Sequence, residues 1–208
     1  MGCMINPHNA HLSIFTAVPG WETPHEQGLL LSLASAINPA YGVYDSRLIV
    51  EIGSEFGMSA SLFALGAPQA YIICIDINPD APFMDNLRET KLNIDNVHPL
   101  FGDSQKIAIM WERYVVELQV GKEIDLLFID GDHSYNGALS DLTRYTPHVK
   151  HGGFLAIHDC AVKTNIHPHE SHHEVYNAVH KWLAENGSRD GFRFMFSVDS
   201  TMVFRRMK

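Results

Sequence analysis

The chain reads as an α/β protein built on a doubly wound, mostly parallel sheet, and three observations predict this. Short apolar runs of strand length, Leu48-Ile49-Val50, Ala70 to Asp76, Ile124 to Ile129 and Phe154 to Ile157, alternate with segments of helical period. The first run opens onto two glycines four apart, Gly53 and Gly57. Each run also delivers an acid at or near its carboxyl end, Glu51, Asp76, Asp130 and Asp159, which is where ligands bind in sheets with right-handed crossovers.

Taken in order, the chain starts with an irregular arm. Pro7, Pro19 and Gly20 interrupt any period, and Phe15 and Trp21 are available to fold over a site or onto a partner subunit. Thr23-Pro24-His25-Glu26 is a capping box with proline at the first helical position, and Leu29, Leu30, Leu33 and Ile37 continue it as a helix ending near Asn38-Pro39. After the second strand, Asn78-Pro79 opens a turn or helix through Leu87 and Leu92. Asn96 to Phe101 is a third strand that Pro99 marks as peripheral, and Gly102-Asp103-Ser104 then starts a helical run to Val120. The fourth strand, Ile124 to Ile129, ends in Asp130-Gly131-Asp132-His133-Ser134-Tyr135, and a helix with Leu139, Leu142 and Tyr145 follows. Lys150-His151-Gly152-Gly153 turns into the fifth strand, which ends in His158-Asp159-Cys160. Beyond a polar loop over 161–170, Ser171 to Glu174 is a second capping box for a helix with Val175, Val179, Trp182 and Leu183, stopped by Gly187. Phe192 to Phe196 and Ser200 to Phe204 alternate around a turn with Asp199, as an antiparallel hairpin at the sheet edge does. Met110, Trp111 and Trp182 recur with other apolar residues and are expected in the core.

With 208 residues and 46% hydrophobic content, one domain can hold a full core, so the expected division is an arm or lid at 1–23 and a single domain at 24–208. A formal charge of −9 disfavours a nucleic-acid partner. Three cysteines, Cys3, Cys74 and Cys160, share no ligand or disulfide spacing, which fits a reducing, cytoplasmic setting. The start of the chain lacks the features of a leader, and no apolar run reaches the length of a membrane span. A homo-oligomer is compatible with all of this.

A glycine turn between a buried strand and a helix N-terminus lets a ligand approach unpaired N–H groups. Asp76 follows Glu51 by 25 residues, an offset at which such sheets set a carboxylate against a ribose. NAD is disfavoured, because its fingerprint needs glycine at 55 and 58, where Glu55 and Met58 stand. Glu51-x-Gly53-x-x-x-Gly57 with a later Asp76 instead resembles the cofactor loop of the class I S-adenosylmethionine-dependent methyltransferases. That resemblance implies a Rossmann-like sheet of order 3-2-1-4-5-7-6. It further implies Glu51, Gly53 and Gly57 beside the methionine half of the cofactor, with Ser54 and Ser59 nearby. Asp76 and Ile77 would lie at the ribose, and Gly102, Asp103 and Ser104 at the adenine. Asp103 can equally cap the helix that follows, and the two roles are compatible.

Two carboxylates on adjacent strand tips, Asp130 and Asp159, would lie about 5 Å apart and call for a cation between them. Oxygen ligands with open positions favour Mg²⁺ or Mn²⁺. The stretch Phe128 to Tyr135, followed by Lys150 to Asp159, resembles the branch that includes macrolide-sugar O-methyltransferases and cephalosporin-hydroxylase-like proteins, over residues 24–160. It implies Asp130 and Asp159 as metal ligands, Asp130 also at the cofactor, and His133 as general base where catechol-type relatives carry lysine. Those relatives place an amide where this chain has Cys160, and the hydroxylase-like branch an acid where it has His158. His158 is therefore the candidate third ligand, favouring a softer ion. His167, His169, His172 and His173 have no metal-finger spacing and read as a polar lid over the pocket.

The expected activity is metal-assisted O-methylation of a small hydroxylated acceptor, a sugar or natural product, with His133 removing the hydroxyl proton for roughly 10²- to 10⁴-fold of the rate. Two rivals stand beside it: a hydroxylase-like or hydrolytic metal enzyme on the same fold, and a catalytically silent cofactor-binding protein.

Overall fold

The computed structural model describes residues 18–37, 47–78, 82–118, 120–121, 123–160 and 171–207, with the side chains of 171 and 172 left aside. Phe15, the loop over 161–170 with His167 and His169, and the side chain of His172 lie outside the described residues.

Seven strands form one sheet in the order β3-β2-β1-β4-β5-β7-β6. They are β1 (Leu48–Ile52), β2 (Tyr71–Asp76), β3 (Val97–Phe101), β4 (Ile124–Ile129), β5 (Val149–Ile157), β6 (Phe192–Val198) and β7 (Thr201–Arg206). The first five pair in parallel, and β7 joins β5 and β6 antiparallel. The expected architecture is therefore the observed one, with Pro99 on edge strand β3 and the C-terminal hairpin on the opposite edge.

Each face of the sheet carries its own core, because successive strand residues point to opposite sides. On one face Ile49, Ile72, Leu126 and Phe128 pack under α1 (Pro24–Ile37), α2 (Met58–Gly66) and α3 (Phe83–Glu89), with Leu30, Phe63 and Phe83 contributed by the helices. On the other, Leu48, Val50, Leu127 and Leu155 pack with Trp111, Tyr145 and Trp182. Those three rings come from α5 (Trp111–Glu117), α6 (Tyr135–Tyr145) and α7 (Ser171–Trp182).

Three local readings are corrected. The run from Ser104 is broken in two, α4 (Ser104–Ile109) and α5, and Met110 between them leaves helical geometry at φ −103°, ψ 11°. Met110 is consequently 39% exposed and is no core residue, whereas Trp111 and Trp182 are buried. In the second capping box Glu174 serves another helix, accepting the N–H of Tyr135 at 2.8 Å. The first capping box forms reciprocally: Thr23 N–H donates to Glu26 Oε2 at 2.9 Å and Glu26 N–H to Thr23 Oγ1 at 3.2 Å.

The tips of β1 and β4 approach so closely that only glycine fits at position 53. Its φ is +88°, and a Cβ there would fall 2.1 Å from the Asp130 carbonyl oxygen. Gly53→Ala is expected to lose at least about 2 kcal/mol in urea denaturation, through a left-handed backbone and displaced strand tips. Gly28→Ala, where a Cβ on helix α1 meets nothing within 4 Å among the described residues, should instead gain about 0.5–1 kcal/mol.

Candidate active site

A cavity of about 880 Å³ opens over the carboxyl ends of the parallel strands. The β1 turn contributes Gly53, Ser54 and Ser59, and β2 ends at Asp76 and Ile77. Gly102, Asp103 and Ser104 follow β3, Asp130 to His133 follow β4, and His158-Asp159 end β5. Most of the residues singled out in the sequence thus border one cavity, although they span more than a hundred positions.

Two do not. Glu51 is completely buried beneath the turn, its carboxyl bonded by the Ser59 hydroxyl and pushed by burial up to about 8. Gly57, at φ +91°, packs against Phe83 and Leu87. Both support the turn from below and leave the wall to their neighbours.

Asp76 is oriented by two backbone donors, Glu55 N–H at 2.8 Å and Asn78 N–H at 2.7 Å. Asp103 caps α4, accepting Gln105 N–H at 2.9 Å, and also borders the cavity, so cap and wall coexist in one residue. Ser104 donates to Asp141 Oδ1 at 2.7 Å, and burial lifts the Asp141 carboxyl to about 6.

The β4 and β5 tips build the charged end of the cavity. Ile129 pairs with Ile157, so the residues that come next and face each other are Asp130 and His158. Asp159 turns back at φ +53°. This register differs from the expectation of two facing carboxylates. Asp130 Oδ1 lies 3.0 Å from His158 Nδ1 and 3.3 Å from His133 Nε2. His133 Nδ1 is 3.6 Å from Asp159 Oδ2. Single ligand atoms from Asp130, His133 and Asp159 all lie within 4.8 Å of one another.

His158, expected as the third ligand, is not one of those three residues. It is 4% exposed, and its Nε2 lies 3.4 Å from Glu26 Oε2, an ion-pair contact without hydrogen-bond geometry. Burial opposes charge on this ring, but Asp130, Glu26 and Asp159 outweigh it and hold its pKa well above the usual histidine value. His158 is thus a buried cation between acids. For Glu26, burial favours the neutral acid, yet His158, Ser200 and Thr23 N–H overcome this and keep its pKa below the usual carboxylate range. Ser200 donates twice to Glu26 Oε1, from N–H at 2.9 Å and from the hydroxyl at 2.6 Å.

Glu26 and Glu22 are the acids that sequence reasoning missed. The capping box already accounted for Glu26, and no local pattern distinguishes Glu22 from an ordinary loop acid. Trp21, in the arm, is 72% exposed at the cavity wall and donates from Nε1 to Glu55 Oε2 at 3.0 Å.

A parallel sheet closed by a reversed hairpin in this order, with a glycine turn after β1 and a polar cavity over the tips, defines the class I methyltransferase fold. The methyltransferase domain model matches residues 50–160, more than half of the chain, and the chain belongs to that family. An uncharacterized protein, R132, of Acanthamoeba polyphaga mimivirus is 33% identical over 119 residues, 55% of this chain. The chain spans about half the length, 52%, of that curated relative. Two solved structures share the fold. The O-methyltransferase TomG of Streptomyces achromogenes, involved in tomaymycin synthesis and in complex with SAM, superposes with a TM-score of 0.67 at 18% identity, covering 97% of this chain and 89% of that one. An O-methyltransferase from Bacillus cereus in complex with SAH gives 0.63 at 17% identity, covering 96% and 90%.

The ion pair sets a pH window for stability. His158 has a raised pKa in the folded state, so its contribution is complete below about 6.5 and is lost as pH rises through the raised value. Glu26 has a lowered pKa, so its contribution is present above about 4.5 and is lost as pH falls through the lower value. Urea denaturation across pH should therefore give a plateau that declines on both sides. Glu26→Gln should cost about 3 kcal/mol on the plateau and move the alkaline decline to lower pH.

Proposed function

We propose that this methyltransferase uses S-adenosylmethionine to methylate a hydroxyl of a small acceptor, a sugar or natural product being the class favoured, in the cytoplasm and without a nucleic-acid partner. The observation that carries the reading is one cavity bordered both by the turn-and-acid series Gly53, Ser54, Ser59, Asp76, Ile77, Gly102, Asp103 and Ser104 and by the histidine-carboxylate group Asp130, His133 and Asp159. The solved relatives with SAM or SAH bound support the donor. No helix among the described residues is long and apolar enough to cross a membrane.

The residues fit the donor. Asp76 has both oxygens held by backbone N–H groups and retains lone pairs for a ribose diol. When bound, the donor supplies a methyl group already activated for transfer. This chain has to align the acceptor oxygen and remove its proton. His133 Nε2 is held by Asp130 Oδ1 at 3.3 Å, whereas Nδ1 lies 3.6 Å from Asp159 Oδ2, too long for a hydrogen bond, and Asp130 foremost raises the ring's pKa. With Nε2–H donated to Asp130, neutral His133 takes the hydroxyl proton at Nδ1, and Asp130 and Asp159 stabilise the imidazolium that forms.

A second reading has one specific observation behind it. The clustered donors of Asp130, His133 and Asp159 would hold a divalent cation such as Mg²⁺ or Mn²⁺, which acidifies a bound hydroxyl. His133 cannot be both ligand and base in one turnover. We favour the base, because the His158 imidazolium already balances the Asp130 charge for which a metal was expected.

His133→Ala is expected to lower transfer by roughly 10²- to 10⁴-fold while S-adenosylhomocysteine binds as before. A fully active variant removes His133 from the mechanism. The rate should rise with pH and level off above the raised His133 value, which lies above about 6.5. Activity should survive chelation; loss with EDTA and recovery with Mn²⁺ would select the metal reading. Failure of S-adenosylhomocysteine to accumulate with any hydroxylated acceptor would favour the hydrolytic or silent alternatives.

A further inference from the structure

Glu22, immediately before the Thr23 cap, borders the same cavity and is only 9% exposed. Its backbone is fixed without help from the carboxylate, since Gln27 Nε2 donates to the Glu22 carbonyl at 3.1 Å. The side chain folds toward the start of α2: a Cβ on Gly20 would lie 2.6 Å from Glu22 Oε2 and 2.6 Å from Met58 Cβ. Oε2 is buried and has no hydrogen-bond partner among the described residues.

Its neighbours are better provided for. Glu26 and Asp130 share the His158 cation, and Glu51 has the Ser59 hydroxyl. Burial first, and then the charge of Asp130, push the Glu22 carboxyl up to about 7. Its own backbone N–H and the His158 charge, already shared by two other acids, offset that burial only in part, and a buried carboxylate so poorly compensated is costly. This one faces the cavity, so a cation entering with a ligand would satisfy it.

Position and chemistry select which cation. The sheet order sets Asp76 and the residues after β3 on one side of Gly53, and Asp130 on the other. Glu22 interacts electrostatically with Asp130, His158 and Glu26, on the side away from the ribose acid. A sulfonium has no N–H to give Oε2, whereas an ammonium offers three. We propose that Glu22 receives the α-ammonium of the donor's methionine portion, an assignment that rests on the methyl-donor reading above and makes the arm part of the cofactor site.

Calorimetric titration of the full chain and of Glu22→Gln with S-adenosylmethionine, S-adenosylhomocysteine and 5′-methylthioadenosine tests this. Glu22→Gln should bind the first two roughly 10- to 100-fold more weakly and bind 5′-methylthioadenosine, which lacks the amino-acid portion, unchanged. Loss confined to S-adenosylmethionine, equal loss for all three, or no loss overturns the assignment. Should Glu22→Gln not fold, the unaltered protein decides. It should bind an S-adenosylhomocysteine analogue with hydrogen in place of the amino group at least roughly 10-fold more weakly than S-adenosylhomocysteine itself; equal affinity overturns the proposal. If the unaltered protein binds none of these ligands, the methyl-donor reading falls and this assignment with it. If it binds them and Glu22→Gln binds equally well, only the Glu22 assignment falls.

Discussion

A buried histidine cation between two acids holds the charged end of this molecule together. His158 leaves β5 pointing at Asp130 on β4 and at Glu26 on α1, and Glu26 in turn is held by the N–H and hydroxyl of Ser200 in the β6–β7 turn. One imidazole thus joins four segments that are distant in sequence. Exchanging either acid for a neutral group leaves a buried charge short of a partner, which is why such a group tolerates little change even though the intact pair adds only modest net stability.

That ion pair also orients the acid next to His133 at the cavity wall. With Asp130 oriented by His158, its remaining contact is to His133, whose other nitrogen faces Asp159. The ring open to solvent is the 38% exposed His133, while the His158 ring is sealed beneath it. Two histidines of different burial therefore sit on the same carboxylate: one is sealed among the acids, and the other is left within reach of solvent. At the far end of the strands an independent acid, Asp125, is paired with Arg47 and Lys150 and bonded by Leu48 N–H, so β4 is anchored electrostatically at both ends.

Much of this was legible beforehand, for reasons that differ by residue. Strand runs such as Ile124 to Ile129 declare themselves because a strand buried on both faces is continuously apolar. Asp103 was legible as a helix cap, since a cap is a local interaction. Gly53 was legible as a turn glycine beside a ligand cavity, but not the Asp130 carbonyl that occupies the space a side chain would need, because that contact comes from another strand. The pairing of His158 with Glu26 was not legible, because Glu26 lies 132 positions earlier and already has a local explanation in its capping box.

Local and periodic information therefore settled the layered fold, the strand order through family resemblance, and the set of polar residues at the strand tips, because secondary structure and turn chemistry depend on neighbours in the chain. Pairing among those polar residues was decided only by the folded arrangement. A one-residue offset between β4 and β5 set His158, in place of Asp159, opposite Asp130, and the docking of α1 brought Glu22 and Glu26 to the same end. Burial then fixed which groups carry charge, and burial is a property of the packed whole.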